Sequence, residues 1–454
     1  MNQNNKAYEE SKLSDRFSFF AEKMFSTLQS GEHARISLAA EQTQFLRLSK
    51  AAVRQNGLVH DAQVSVQFMT DSGQSLELSV PFVVNDKSET EELVLNLVRK
   101  ARTHIKDIPV DPYVSLPSRT EQTFVAHQGH LLAPEQAVEA LLSATSKSDD
   151  LVGIYASGPV MTALADSAGQ FHWFASDSFY VDYSLWLPNG RAVKSSYAGR
   201  HWQQQEFERS LETARRNLDV LARPQKTLKP GNYRTYLAPS ATSEMLNMLS
   251  WGGLSEGALQ RKESPLCAIR TGEKRFSEKF SLKENFSLGL APRFSGEGET
   301  SPETIQLFER GQFLQGLVSA RTEKEFGVKS NGAGSESLRS PDLAAGQLNS
   351  DDVFQVIGTG LYLSDLHYLN WSDVIQGRVT GMTRYACLWV EDGKPVGPIQ
   401  DMRFDETLFR CFGSELEELT TETAIIPETS SYGHRALGGA RVPGLLLKNF
   451  QFTL

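Results

Sequence analysis

The chain has 454 residues, enough for two or three domains, and is 40% hydrophobic and 22% charged, an ordinary globular balance. A formal net charge of −9 argues against the broad basic surface that non-specific nucleic-acid binding needs, and no apolar run reaches the ~20 residues of a membrane helix. The polar start MNQNNKAYEESKLSDRF lacks the order of a signal peptide, and Cys267, Cys387 and Cys411 form no C-x-x-C, so a reduced, cytoplasmic setting is expected.

The first predicted element is an amphipathic helix over Tyr8–Leu28, where Phe17, Phe19, Phe20, Met24, Phe25 and Leu28 recur at helical spacing. In Arg35–Arg54 helix and strand signals compete: the stretch suits one helix by propensity or short strands by its ISL and FLRL pieces. From Asp61 onward, QVSVQFM, DSGQ and SLELSVPF alternate, turn and alternate again, which predicts a β-hairpin. Ser88–His104 follows as a helix with acidic residues early and basic ones late, as the helix dipole favours. Pro134–Ser143 is a helix with proline at its start. Residues 151–199 are β-rich, with turns at Ser167–Gly169 and Pro188–Gly190, and Trp202–Ala222 returns to helix.

RPQKTLKPG, residues 223–231, combines two prolines, three cations and a glycine and is the best linker candidate. Beyond it Tyr233–Leu237 reads as a strand and Ala241–Trp251 as a helix. Hairpins follow in IQLFERGQFLQGLVSA and ACLWVEDGKPVGPIQ. Residues 330–352 are Gly/Ser-rich and predict a long exposed loop, although short strands could hide there. The expectation is an α+β protein: an N-terminal α/β domain over 1–225 and a β-rich C-terminal domain over 226–454.

Candidate chemistry is sparse. No two histidines stand at i, i+4; His127 and His130 stand at i, i+3, but Gly129 lies between them and Pro134 follows, so a loop is expected there and not a metal-binding helix face. Asp365 and His367 share one face of a predicted strand, so the carboxylate could orient the imidazole, or the two could be a solvated edge pair. Cys387 lies in the apolar run YACLWV and reads as an inert core thiol. GEGE (296–299) would repel an anion, and GHRALGG (433–439) is by default a surface loop.

The string LFERGQFLQGLVSARTEKEFGVKSNGAG resembles the TldD/PmbA family, with its acidic-Gly hairpin and the Gly/Asn-rich loop Ser330-Asn331-Gly332-Ala333-Gly334. GLYLSDLHYLNWSDVIQGRVTGMTRYACLWVEDGKPVGPIQDMRF looks like the signature region of that family, and VPGLLLKNFQFTL like its C-terminus. The match spans roughly residues 232–454; the N-terminal half fits in length and texture only. In the zinc-bearing members a His-Glu-x-x-x-His helix precedes an Arg-Lys pair. Counting back from Arg261-Lys262 places the first His position on Met248, the Glu on Leu249 and the second His on Gly253. The family's third ligand, a cysteine, falls on or near His367.

The resemblance therefore implies the PmbA (TldE) type, a pseudoenzyme subunit with no zinc of its own. It would form a heterodimer with a TldD-like zinc subunit and would help to process flexible or unfolded peptides. Arg261, Lys262, Asp365 and His367 are the candidate substrate or partner contacts. Two alternatives stand beside this: a homodimeric, non-proteolytic interaction protein of the same fold, or a divergent peptidase built on Asp365 and His367. The gyrase-modulator label attached to the family finds no support in an acidic chain.

Overall fold

The computed structural model describes residues 3–83, 86–146 and 148–453, with side chains from residue 12 onward. The first half runs α1 (Gln3–Ser26), β1 (Glu32–Ser49), β2 (Ala52–Thr70), β3 (Ser75–Pro81), α2 (Lys87–His104), β4 (Gln122–His127), α3 (Pro134–Ala144), β5 (Leu151–Asp166), β6 (Phe171–Trp186), β7 (Ala192–Gly199) and α4 (Gln204–Leu221). Its strands form one seven-stranded sheet in the order β3-β2-β1-β5-β6-β4, with β7 on the remaining edge of β6.

The competition over Arg35–Arg54 resolves into strand. Alternate residues Ala34, Ile36, Leu38 and Ala40 bury, and β1 pairs with β2 on one side and β5 on the other. Period-two burial between two partners overrides the helix propensity of AAEQ. The reversal between β1 and β2 is made by Lys50 and Ala51, both left-handed at φ 53° and 51°, so the tight turn lacks the Asn-Gly signature. The 63–82 hairpin and the helices after it stand as expected, α2 being capped by Asp86, which accepts from the Glu89 N–H at 2.9 Å.

The second half runs β8 (Gly231–Leu237), α5 (Pro239–Asn247), α6 (Glu256–Gln260), α7 (Cys267–Arg270), β9 (Leu282–Asn285), β10 (Thr304–Glu309), β11 (Gln312–Phe313), α8 (Ala320–Phe326), β12 (Pro341–Leu343), α9 (Val353–Ile357), β13 (Gly360–Asp373), β14 (Arg378–Glu391), β15 (Lys394–Pro398), β16 (Arg403–Thr407), β17 (Leu416–Pro427) and β18 (Gly439–Phe452). Here the sheet has eleven strands. β18 pairs with both β16 and β8, so β8, β13, β14, β16 and β18 close into a ring, and α5 packs against β13 and β18. The molecule is α+β, and among its described residues no helix is long and apolar enough to cross a membrane.

Two expectations are corrected here. The helix expected over Ala241–Trp251 ends at Asn247 and tightens into a 3-10 turn over Met248–Ser250. The segment 330–352 is not an exposed loop: Ala333, Ser340 and Leu343 are buried, and residues 341–343 form β12. Small residues let this backbone run through the interior.

The halves are joined by buried polar contacts. Arg435, only 4% exposed, reaches from the β17–β18 connection into the first sheet, so GHRALGG is an anchor and not a surface loop. Its guanidinium donates to the carbonyls of Gly158 (3.3 Å) and Ser178 (2.8 Å), and its own N–H donates to Glu41 Oε1 at 2.9 Å. GEGE makes a second joint. Glu299 accepts from Arg119 at 2.5 Å, and Gln170 Nε2 donates to the Gly298 carbonyl at 2.7 Å.

A methionine at 435 keeps the backbone N–H to Glu41 but removes the buried positive charge beside it and the donors to the Gly158 and Ser178 carbonyls. Arg435→Met is expected to cost about 3–5 kcal/mol in urea unfolding, whereas Tyr432→Ala, at a 98% exposed neighbour, leaves the midpoint unchanged.

Candidate functional site

α5 begins with Pro239 at its first turn and buries Ala241, Thr242, Met245 and Leu246. The 3-10 turn continues the apolar face. Met248 and Leu249 are both buried in one cluster with Leu361, Leu363, Leu366 and Leu445 of the strand ring. Gly252 then takes φ +82°, and the Leu254 N–H returns to the Leu249 carbonyl at 2.9 Å. At Gly253 a Cβ would sit 2.9 Å from the Leu249 carbonyl oxygen and 3.0 Å from its Cα, so the backbone leaves no room for a side chain.

These three positions do not fit a zinc ion. A buried thioether is a soft donor, leucine has none, and Gly253 has no space for an imidazole. Among the described residues no group of three or more His, Cys, Asp or Glu is placed to hold a metal. His127 ends β4 and His130 pairs with His201 across an isolated bridge, so these two histidines stand in extended and loop backbone.

Arg261 and Lys262 close α6. Arg261 Nε donates to Glu263 Oε2 at 2.8 Å in an exposed pair, and Lys262 is left-handed at φ 61°. The stronger ion pair lies nearby, where Arg270 makes a bidentate bond (2.9 and 2.6 Å) to the buried Glu256. Glu336, also left-handed at φ 51°, is the organising carboxylate of this region. It accepts from the Gly257 N–H (3.0 Å), the Ser319 N–H and Oγ (both 2.9 Å) and the Ser255 hydroxyl. It thus caps α6 and α8 together. Burial alone would raise its pKa, but these bonds outweigh burial and hold it below the usual carboxylate value.

Asp365 and His367 do share a face of β13, but the structure gives them separate partners. Asp365 Oδ1 accepts from Ser240 Oγ at 2.9 Å, and the His367 ring packs on Tyr368 with centroids 4.0 Å apart. Among the described residues no hydrogen bond joins the two. Burial and the nearby cations Arg384 and Lys194 lower the His367 pKa, which keeps the imidazole neutral at pH 7. Cys387 is buried beside Asp365, and its thiol is pushed up to about 12, chiefly by burial.

Around Asp365 the two sheets meet in an ionic cluster that the sequence alone does not reveal. Lys194 of β7 lies 3.5 Å from Asp182 of β6 and within electrostatic reach of Asp365, while Glu244 of α5 faces both Asp365 and Lys194. Burial raises the pKa of Asp182, Glu244 and Asp365 alike. For Lys194 burial works downward, but Asp182 and Asp365 outweigh it and raise the pKa. Three carboxyl groups thus surround one ammonium, and burial favours the neutral form of each carboxyl. These residues lie up to 183 positions apart and carry no local motif.

Residues 230–454 match the PmbA/TldA metallopeptidase C-terminal domain. Among solved structures, TldE from Thermococcus kodakarensis superposes with a TM-score of 0.76 at 16% identity, covering 98% of this chain and 100% of that one. A proposed DNA gyrase modulator from Thermotoga maritima gives 0.74 at 14% identity over 96% and 100%. A second such protein, from Bacteroides thetaiotaomicron, gives 0.73 at 16% over 98% and 99%. At these identities the likeness establishes the fold. No curated protein matches the chain by sequence.

Two outcomes test the geometry. Gly253→Ala forces the Leu249 backbone aside and is expected to cost about 1–3 kcal/mol of stability in chemical denaturation, although it adds a single methyl group. Glu336→Gln is expected to destabilise the protein most at neutral pH. A depressed folded-state pKa contributes stability above the unfolded value of about 4.5, and that stability is lost as pH falls through the folded value. The difference between wild type and variant, followed by unfolding from pH 7 down to pH 3, therefore shrinks on the acid side.

Proposed function

Because the chain belongs to the TldD/PmbA family, we propose that it is the metal-free, TldE-like member of a two-subunit peptidase. In this reading a TldD-like partner carries the zinc and polarises the scissile peptide. This chain completes the chamber and binds an extended, flexible peptide. The observation that carries the reading is the packing of Met248 and Leu249 into the strand-ring core beside a Gly253 that cannot take a side chain. An inward face that needs no metal to satisfy it is a folding element and not a catalytic one.

In the same reading, the ionic cluster around Asp365 serves a substrate contact. Glu244, Asp182 and Asp365 around Lys194 would accept hydrogen bonds from an ammonium or guanidinium of the peptide. His367 stands near it as a neutral hydrogen-bonding group. Among the described residues no carboxylate is bonded to it to set its tautomer, so it is a poor base, which weighs against a self-sufficient peptidase. Arg261 and Lys262, exposed at the end of α6, are available to a partner surface.

The test is metal content and peptidase activity of the purified chain, alone and mixed with a TldD-like zinc subunit. The chain alone is expected to hold no stoichiometric zinc and to cleave nothing, with cleavage of an unfolded peptide appearing in the mixture as the two co-elute. Stoichiometric zinc in the chain alone would overturn the reading. A stable homodimer that ignores the zinc subunit would favour the interaction-protein alternative.

A further inference from the structure

The helix-covered face of the first sheet changes character halfway along. At one end Ile36 and Leu38 of β1, Met161 and Ala163 of β5, and Trp173 of β6 bury under α1 and α2. At the other end Leu46 and Leu48, Tyr155, and Phe179 and Val181 bury under α3 and α4. Between them the same rows carry Gln42 and Gln44 on β1, Ser157 on β5 and Asp177 on β6. The register aligns these positions: Gln42 faces His60, Gln44 faces Leu58 and Ser157, and Asp177 faces Pro159. Four adjacent strands thus place polar groups at one level, where the two helix pairs leave the sheet uncovered.

A cavity of about 580 Å³ occupies that gap. Its roof is the segment from His127 to Pro134, which the Gly129 N–H ties to Asp177 Oδ2 at 3.0 Å. The size falls within the range of small-ligand sites, and the walls mix apolar Leu131, Leu132 and Pro159 with the polar floor, as such sites do. Carboxamides and imidazoles, which both donate and accept, dominate the polar lining. The carboxylate, Asp177, already accepts a bond from the roof. The His127 ring turns to the other face of the sheet, where it packs on Phe174 with centroids 5.6 Å apart, so His60 and His130 supply the imidazoles at the cavity. Gln44 shows what the floor recognises: its Nε2 donates to the backbone carbonyl of Pro134 at 3.2 Å.

We propose that this cavity is a binding site for an uncharged, amide-bearing ligand, a peptide segment of a few residues held through its backbone by Gln42, Gln44, His60 and His130. It lies in the first half, on a different sheet from α5 and β13, and the inference does not rest on the pairing with a zinc subunit.

The probe is an acetylated, amidated tetrapeptide, Ac-Ala-Leu-Gln-Ala-NH2, titrated into the full chain carrying 13C-labelled histidine. The imidazole signals of His60 and His130, assigned by single substitution, are expected to shift saturably while that of the exposed His434 does not. The double variant Gln42→Leu/Gln44→Leu is expected to weaken binding about tenfold or more. Leu58→Arg, at a rim residue 67% exposed and so harmless to the fold, is expected to block the mouth and abolish the shifts. Absence of a saturable shift, shifts unaffected by Leu58→Arg, or equal affinity for the same peptide with free charged termini would each overturn the proposal.

Discussion

The architecture depends on an arginine placed where folding alone would not put one. Arg435 belongs by sequence to the second half but sits buried in the first sheet, at the crossing of β1, β5 and β6. Gly158 makes that crossing possible. At φ +146° its missing Cβ would otherwise collide with the Gln42 carbonyl. The guanidinium fills the remaining demand for donors, satisfying carbonyls that the local irregularity leaves over. Burial pulls its pKa down, and Tyr180 and Glu41 oppose this. A charge buried on such terms fixes one docking geometry, because any slip leaves it unpaired.

The second joint obeys the same rule with the signs reversed. Glu297 and Glu299 of GEGE come from the second half, and Arg35 and Arg119 from the first. Glu299 also accepts from Ser330, which links this joint to the small-residue segment that Glu336 organises. The path from the first sheet to α6 and α8 is thus a run of hydrogen bonds, several of them part-buried. It positions the backbone that follows Met248 and Leu249, and it relies on polar satisfaction as much as on apolar packing.

Local patterns were readable in the sequence wherever structure is made locally. The 63–81 hairpin, α2, α3 and α4 each carry their period, their caps or their turn residues. The β1–β2 reversal was hidden because Lys50 and Ala51 take left-handed conformations that their side chains do not advertise. The 330–352 segment was misjudged because glycine and serine suggest exposure, whereas here their small size lets a chain cross the interior. Of the ionic cluster, Asp365 and its neighbour His367 are visible in the sequence as a strand pair. Asp182, Lys194, Ser240 and Glu244 were not, because they meet only when two sheets dock. Resemblance to a family located Met248, Leu249 and Gly253; composition and periodicity would have called them core and turn, which is also how they pack.

That convergence sharpens the contrast with the first sheet. At Met248, Leu249 and Gly253, where the family resemblance places metal ligands, the chain has apolar or absent side chains, and they pack densely. At Gln42, Gln44, Ser157 and Asp177 it has polar side chains where packing would demand apolar ones, and the result is a cavity. Burying polar groups on a core-facing row costs free energy, and so does leaving space unfilled. Leucine or valine at these four positions would extend the alternation already running on either side of them. A sequence that departs from its own pattern at one level, on three neighbouring strands, spends stability on that gap. Recognition of something that enters it is the physical account that fits both costs.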